Sequence, residues 1–462
     1  MTMSSWSASR GARGITVGVA ASALLLTACG GASEDGATGE GGVTLVVGDK
    51  PTADRAEELQ VWEDRVAQFE ADNPDVTVEG QETAYDPQTF QAQVAGGNLP
   101  TVLLVPFTEP QALLQREQIA DITAPLESTG LLDVLNPSLL PVVQDDAGQT
   151  FGVPVGAYSV GLVYNRALFE EAGLDPDAPP RTWEEVRAAA ARISEGTDAA
   201  GYAQMSTQGT GGWMFTAETY SFGGRIQSED GEEVLFDDDP AAQLLGALSA
   251  MRWEDGSMGS NVLYDIESIA QDFAAGRIGM YVAAPDAWNN VVTRFGMAQE
   301  DYGVGPIPRG VEDDGYGTLT GGTVAVVSPS ASEEEQEAAV RWIEHSYLER
   351  FVDEEAAVAE AEGLAGSDVP IGLPGLSPVS EEAYEQWQGW IADYVNVPVE
   401  NFSAYLDAIP EQELVPEPVN EAQQVYASLD TVIQTVLTEE GADPEAVLSE
   451  AAEAVQTQLD RG

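Results

Sequence analysis

Aromatic side chains next to acidic ones are the residues of this sequence best suited to hold a ligand. Three places have this arrangement: Tyr85 with Asp86, Phe107 with Glu109, and Trp288 with Asp286. An aromatic ring can cover the apolar face of a small molecule, and a carboxylate can accept two hydroxyl groups. All three pairs follow strand candidates, and ligands of open α/β sheets bind beyond the carboxyl ends of strands. We therefore interpret them as candidate ligand contacts, with capping of the following helix as the alternative for Asp286.

Four further residues are candidate contacts because of the glycines in or near their segments. Trp213 follows residues 209–212 (GTGG) and fits no apolar periodicity, so we interpret it as a residue at a cleft, with a core tryptophan as the alternative. Tyr158 comes shortly after a Gly-Val-Pro sequence. Gly321 and Gly322 would either let the backbone approach a ligand closely or only turn the chain.

The sequence offers little for metal or nucleophilic chemistry. His345 is the only histidine and lies in an acidic helix, so we interpret it as a solvated surface residue; a histidine-bound zinc or a Ser-His triad lacks its other members. Residues 237–239 (DDD) are followed by Pro240 rather than by a calcium loop. We expect no catalytic residue, no metal site and no cofactor. A secreted glycoside hydrolase needs only two carboxylates, and that alternative stays open.

The net charge of the chain argues against one class of ligand and leaves others open. The chain of 462 residues has 18 Lys and Arg against 79 Asp and Glu, a formal charge of −61. This excess argues against nucleic acid, whose phosphates require a clustered basic surface. Neutral and cationic ligands stay open, and the acidity leaves a cation- or metal-binding receptor as a third alternative. With 43% apolar residues, the chain is long enough for two or three domains with real cores.

The amino terminus has the pattern of a secretory signal. Two arginines precede the apolar run 15–28, which is shorter than the roughly 20 residues of a membrane-spanning helix. Leu26-Thr27-Ala28-Cys29 resembles the lipobox of bacterial lipoproteins, in which the cysteine is lipid-modified after cleavage. We therefore expect a signal peptide at 1–28, lipidation of Cys29 and a flexible tether over 29–42. Acyl chains on Cys29 would anchor the protein to the membrane.

Strands and helices alternate after the tether, which predicts an α/β fold. Strand candidates lie at 43–47, 76–78, 102–105 and 323–327. Apolar residues at 59, 62, 66 and 69 predict a helix between the first two strands, and a second helix is expected around 88–95. The order strand, helix, strand favours parallel βαβ units.

Other local signals mark helix starts and a loop. Thr182 with Glu185, and Ser332 with Glu335, form S/T-x-x-E capping boxes. The Pro-rich acidic segment 411–420 is interpreted as a surface loop.

Motifs in order along the chain resemble those of one family. The segment 62–78 resembles its first helix and second strand, and Gly97-Asn98-Leu99-Pro100 resembles the turn before its third strand. The strongest match is Gly152-Val153-Pro154 followed by LVYNRALFEEAGL at 162–174. PPRTWEE at 179–185, FAAGRIGM at 273–280 and LTGG at 319–322 complete the series. With the lipobox in front, the series resembles the bacterial extracellular solute-binding proteins, family 1, the sugar-binding lipoproteins that serve ABC importers.

The resemblance implies a two-lobed, periplasmic-binding-protein-like α/β fold with hinged lobes, several crossings between them and the ligand in the cleft. Lobe one is then expected over 43–154 and 322–370, and lobe two over 155–321 and 371–462. The family often has an aromatic residue after its first strand, where this chain has Gly48-Asp49-Lys50-Pro51. The contribution of Asp49 and Lys50 to the site therefore stays open.

The resemblance also implies a function. The protein would be a non-enzymatic substrate-binding lipoprotein of an ABC importer that captures a neutral saccharide or polyol and delivers it to the permease subunits. It would act as a monomer, anchored by lipid at the extracytoplasmic face of the cell membrane.

Overall fold

The structure, a computed structural model, describes residues 42–228, 230–310, 316–367 and 369–461. The predicted signal peptide, Cys29 and all of the predicted tether except Gly42 lie outside these residues. Within the described ranges, no helix is both long enough and apolar enough to cross a bilayer.

Strands and helices alternate along most of the described chain. The strands are β1 (Val43–Val47), β2 (Val76–Gly80), β3 (Val102–Pro106), β4 (Gly152–Ser159), β5 (Gly161–Asn165), β6 (Ala200–Tyr202), β7 (Ile278–Ala283), β8 (Tyr302–Pro306), β9 (Gly317–Val327) and β10 (Glu413–Pro416). The α-helices are α1 (Ala56–Asp72), α2 (Pro87–Gly96), α3 (Pro110–Gln115), α4 (Thr123–Thr129), α5 (Arg166–Glu171), α6 (Trp183–Gly196), α7 (Thr210–Ser221), α8 (Asp239–Ser249), α9 (Ile266–Ala274), α10 (Glu333–Ile343), α11 (Glu349–Val352), α12 (Glu354–Leu364), α13 (Glu381–Trp390), α14 (Ser403–Ala408), α15 (Ala422–Thr438) and α16 (Pro444–Leu459).

These strands form two sheets. The first has the order β10-β9-β3-β1-β2, with β4 paired to β9, and the second has the order β6-β7-β5-β8. Because β1 lies parallel to both β2 and β3, the predicted βαβ units are confirmed, and the carboxyl ends of these strands meet at one edge. We call the elements packed on the first sheet lobe one and those packed on the second sheet lobe two.

The chain passes between the sheets in a very short step. β4 ends at Ser159 in the first sheet and β5 begins at Gly161 in the second, so only Val160 separates them. The Thr318 hydroxyl donates to the carbonyl oxygen of Val160 at 2.8 Å, and the hydroxyls of Ser159 and Tyr405 share a hydrogen bond of 2.6 Å. These contacts fix the junction between the lobes.

Each sheet is buried between apolar layers. In lobe two, every residue of β5, β7 and β8 is buried, as expected for strands covered by helices on both faces. In lobe one, one apolar layer contains Leu45 and Trp342, and another contains Leu103 and Val324.

Both predicted capping boxes are confirmed. At the start of α6 the Thr182 hydroxyl accepts a hydrogen bond from the N–H of Glu185 at 3.2 Å. At the start of α10 the Ser332 hydroxyl accepts one from Glu335, also at 3.2 Å.

The interpretation of 411–420 as a surface loop is wrong for four of its residues. Glu413–Pro416 form β10, which pairs in parallel with β9 from Gly317 to Thr320. Val415 is buried in this strand, and that burial offsets the polar residues around it.

The interpretation of His345 as a solvated residue is also wrong. Its side chain is only 11% exposed, and Nδ1 lies 2.9 Å from the Glu349 carboxylate. The ring packs against Phe69 and Trp342, with centroids 5.5 and 6.5 Å away.

The lobes divide the chain differently from the predicted boundaries. β4 stays in the first sheet to Ser159, five residues beyond the expected crossing at Pro154, and β9 joins that sheet from Gly317. Part of the segment expected in lobe two, 371–462, packs on lobe one, because Trp387 of α13 packs against Phe351 with ring centroids 5.3 Å apart. Lobe two receives the chain again at Phe402 and Tyr405.

Candidate ligand-binding site

The site begins where Tyr158 lies across Gly321. These residues are opposite each other in the antiparallel pairing of β4 with β9. A Cβ atom on Gly321 would come within 2.2 Å of the Tyr158 hydroxyl, so the glycine leaves the space that the tyrosine ring occupies. Tyr158 thereby reaches past β9 and donates a hydrogen bond to Oε1 of Glu417 at 2.6 Å.

Glu417 is the centre of the site. It follows the last residue of β10, which brings it to the glycine pair of β9 through the pairing of Pro416 with Thr320. Its second oxygen, Oε2, accepts a hydrogen bond from the hydroxyl of Tyr426 at 2.9 Å. Two tyrosines, one from β4 and one from α15, therefore fix the orientation of this carboxylate.

Trp213 completes an aromatic wall beside Glu417. Its ring stands edge-on to Tyr158, with centroids 6.0 Å apart and an interplanar angle of 77°. The tryptophan is half-buried on α7, so part of it stays accessible. A cavity of about 220 Å³ lies here; its lining residues are Gln208, Gly209, Thr210, Trp213, Glu417, Gln423 and Tyr426.

Two helices pack closely to build this wall. Gly212 of α7 lies so near α15 that a Cβ atom would come within 2.2 Å of the Tyr426 carbonyl oxygen. Asp430 of α15 accepts hydrogen bonds from the backbone N–H groups of Gly209 at 2.6 Å and Gly212 at 2.8 Å. The close packing positions Tyr426, and the carboxylate of Asp430 occupies the positive end of α7.

Electrostatics favour neutral tyrosines here. The pKa of Tyr158 is raised because burial disfavours the phenolate and because the Glu417 carboxylate lies beside it, with a smaller contribution from Asp286. The pKa of Tyr426 is raised by burial and then by Glu417. Both hydroxyls therefore stay protonated and keep donating to Glu417 over the physiological range.

Asp286 follows β7 in lobe two. Its side chain is exposed to water, yet desolvation by the surrounding protein raises its pKa. Both observations fit a carboxylate on a concave surface, where water reaches the group but protein surrounds it. The Asp286 carboxylate also contributes to the raised pKa of Tyr158.

Trp288, the neighbour of Asp286, lies elsewhere. It is only 3% exposed and belongs to the core of lobe two. Its ring packs against Tyr302 and Phe402, with centroids 5.3 and 6.0 Å away. Trp288 borders a different cavity, beside Val292 and Asn396, so the structure does not bring it to the cavity at Glu417.

The predicted contacts of lobe one follow β2 and β3, and most of them contact other residues of the protein. The Tyr85 hydroxyl donates to the Glu109 carboxylate. Phe107 is 5% exposed and packs on Gly322, whose carbonyl oxygen accepts the Phe107 N–H at 3.2 Å. Asp86 is exposed just before α2.

Asp49 and Lys50, which follow β1, make contacts within lobe one. Asp49 has a positive φ of 61°, and its carboxylate accepts the N–H of Leu104 at 3.1 Å. The ammonium of Lys50 lies 5.3 Å from the centre of the Trp62 ring.

The structure thus joins Tyr158, Trp213 and Gly321 with two residues that sequence reasoning missed, Glu417 and Tyr426. Glu417 lies in the acidic, Pro-rich segment where one carboxylate among many carries no distinguishing signal. Tyr426 is on the apolar face of α15 and is only 2% exposed, so its pattern is that of a core residue. Within the described ranges, no group of three His, Cys, Asp or Glu residues is arranged to hold a metal ion.

The curated proteins that are similar to this chain in sequence are described as binding proteins. A curated protein of Brucella abortus is 26% identical over 246 residues, which are 52% of this chain and 58% of that protein. The sn-glycerol-3-phosphate-binding periplasmic protein UgpB of Escherichia coli is 27% identical over 160 residues, which are 33% of this chain and 35% of UgpB. The chain therefore matches only part of the length of these curated relatives.

Solved structures and a family model agree on the fold. The cyclic α-maltosyl-1,6-maltose binding protein of Arthrobacter globiformis matches with a TM-score of 0.67 at 22% identity, over 91% of this chain and 100% of that one. This likeness confirms the predicted two-lobed α/β fold. A family model described as bacterial extracellular solute-binding protein matches residues 52–347, more than half of the chain. The protein therefore belongs to the bacterial extracellular solute-binding protein family.

Proposed function

We propose that the protein is the substrate-binding lipoprotein of an ABC importer, which captures a saccharide or polyol between its lobes and passes it to a membrane permease. The observation that carries the proposal is the Glu417 carboxylate, oriented by Tyr158 and Tyr426 beside the accessible Trp213. A carboxylate accepts hydroxyl groups and an indole ring covers an apolar sugar face, so the group suits a polyhydroxylated ligand.

The position of this group favours capture by closure. Tyr158 belongs to a strand of lobe one, while Trp213 and Tyr426 belong to helices of lobe two. A ligand that contacts both lobes stabilises the closed state over the open one, and a permease can distinguish the two.

The relative UgpB raises a second ligand class, because its name specifies glycerol 3-phosphate. A phosphate binds well at the N terminus of a helix, and α7 begins at the cavity. Here Asp430 already accepts hydrogen bonds from Gly209 and Gly212. A phosphate at that position would meet a carboxylate, which supports hydroxyl groups over phosphate as the ligand.

Membrane attachment rests on the amino terminus. Leu26-Thr27-Ala28-Cys29 supports lipidation at the cysteine and a location outside the cytoplasm. Mass spectrometry of the membrane-extracted protein tests this: we expect an acylated amino-terminal peptide that begins at Cys29, and an unmodified peptide at that position would contradict it.

Isothermal titration calorimetry of the full-length protein tests the ligand class. The panel contains mono- and oligosaccharides, polyols and glycerol 3-phosphate, and each ligand is recovered afterwards and checked for cleavage. We expect a saccharide or polyol to bind and to be recovered intact. Binding of glycerol 3-phosphate alone, or no binding across the panel, would contradict the proposal. Cleaved sugar would support the glycoside hydrolase alternative.

A further inference from the structure

We infer that the cavity at Glu417 receives a positively charged nitrogen of the solute, carried as a protonated amine or quaternary ammonium group on a hydroxylated molecule. The inference rests on the proposed function and refines it, since the family resemblance implies a neutral saccharide or polyol.

The first argument is the unbalanced charge of Glu417. Within the described residues, neither Glu417 nor Asp286 has an Arg, Lys or His nitrogen within 4.0 Å of its carboxylate. Arg225, which packs on Tyr220 near the site, is instead held by both oxygens of Glu413 at 2.8 Å, at the other end of β10. The two tyrosine hydroxyls on Glu417 orient its charge but do not neutralise it.

The second argument is that the N terminus of α7 does not compensate the negative charge of Glu417. The N terminus of α7 carries a partial positive charge that could stabilise a nearby carboxylate. Asp430 already occupies it through Gly209 and Gly212. The positive end of α7 is therefore bound to one anion and contributes little to Glu417.

The third argument concerns closure. When a ligand is enclosed, the water around Glu417 is displaced, and desolvating an uncompensated carboxylate is unfavourable. A neutral sugar offers hydroxyl hydrogen bonds but no counter-charge. A cationic group on the ligand offsets the desolvation of Glu417 directly.

The aromatic wall suits the same chemistry. Trp213 and Tyr158 stand edge-on to each other beside Glu417, and Tyr426 donates to the same carboxylate. Indole and phenol rings attract a cation that lies over their faces, most strongly when water is excluded. Tyr426 is buried and contributes only its hydroxyl, so the half-buried rings of Trp213 and Tyr158 are the ones suited to an ammonium group beside the carboxylate.

Matched ligand pairs test the inference in the full-length protein by calorimetry. The first pair is choline and its neutral isostere 3,3-dimethylbutan-1-ol. The second set is glucosamine, galactosamine and mannosamine, each with its parent sugar and its neutral N-acetyl derivative. We expect at least one cationic member to bind about tenfold or more tightly than its neutral counterparts. Preference for choline would identify a quaternary ammonium group, and preference for an amino sugar would identify a primary amine.

Two variants and one titration locate the effect. Glu417→Gln should remove the preference for the cationic member, whereas Glu413→Gln, at the other end of the same strand, should keep it. In the unsubstituted protein, affinity for the cationic member should fall as salt rises from about 20 to 200 mM, while affinity for the neutral member stays constant. Because the salt titration uses the unsubstituted protein, it tests the inference even if Glu417→Gln does not fold.

Two outcomes would overturn the inference. One is that no cationic member binds more tightly than its neutral counterparts; the other is a cation preference that survives Glu417→Gln in folded protein. If neutral sugars bind while the amines do not, the inference fails and the proposed function stands. If no saccharide or polyol binds, whether neutral, amino-substituted or N-acetylated, the proposed function fails.

Discussion

The carboxylate of Asp430 accepts a hydrogen bond of 2.6 Å from the backbone N–H of Gly209, 221 residues earlier in the chain. Gly209 is the N-cap residue of α7 and has no side chain with which to cap it. Asp430 of α15 therefore caps α7 from a distance. The contact holds together the two helices that carry Trp213 and Tyr426.

Asp430→Ala should lower the free energy of unfolding by about 1–3 kcal/mol, because it removes a buried cap and leaves two backbone N–H groups without their acceptor. Urea denaturation measures the change. Asp443→Ala is the control, since Asp443 is the exposed N-cap residue of α16 and makes no side-chain cap hydrogen bond. Equal losses in the two variants would contradict the capping role.

Gly212→Ala should push α7 and α15 apart, because the added Cβ would lie 2.2 Å from the Tyr426 carbonyl oxygen. We expect a loss of about 1–3 kcal/mol in the free energy of unfolding, together with weaker ligand binding. Gly246→Ala in α8 is the matched control, because no heavy atom lies within 4 Å of the new Cβ. That variant should gain about 0.4–1 kcal/mol from the better helix propensity of alanine. A tolerated Gly212→Ala would contradict the close packing.

Trp213→Ala should weaken binding of the solute about tenfold or more, because it removes the accessible ring of the cavity. Calorimetry with the ligand found in the panel measures this effect. Trp390→Ala serves as the control, because Trp390 is a half-buried tryptophan on α13, among the elements packed against Ile371. Unchanged affinity in Trp213→Ala would place the ligand elsewhere in the protein.

Glu218→Gln should change how stability depends on pH. Glu218 is fully buried in α7, and desolvation raises its pKa from 4.5 to about 8. The unfolded chain loses this proton at lower pH than the folded protein does. The stability that comes from the raised pKa is therefore fully present below pH 4.5 and is lost as the pH rises towards 8.

The difference in unfolding free energy between the original protein and Glu218→Gln should thus fall by roughly 3–5 kcal/mol over this range. Urea denaturation at a series of pH values measures it, with the variant as the reference for all other titrating groups. A difference that stays constant or rises with pH would show that Glu218 is ionised in the folded protein.

Local sequence signals predicted the elements whose formation depends on their own residues. The strand at 43–47 and the capping boxes at Thr182 and Ser332 formed where expected, because each rests on a short β-branched run or on a hydrogen bond spanning three residues. β10 was missed because its stability comes from pairing with β9, about one hundred residues earlier.

The site could be predicted only in part for the same reason. Trp213 and Tyr158 stood out through nearby glycines, but the carboxylate that joins Tyr158 comes 259 residues later. Trp288 was predicted at the cleft because it follows a strand candidate, but its ring packs against Phe402 in the core of lobe two. Sequence reasoning identified aromatic candidates, whereas burial in the folded chain decided which of them face the cavity.

The single residue between β4 and β5 also bears on how the protein can be cut. A protease must draw several consecutive residues into an extended, accessible conformation. Ser159 and Gly161 are both engaged in sheets, and the carbonyl oxygen of Val160 is bonded to Thr318. Limited proteolysis should therefore spare this junction, and the two lobes should not be released there as separate fragments.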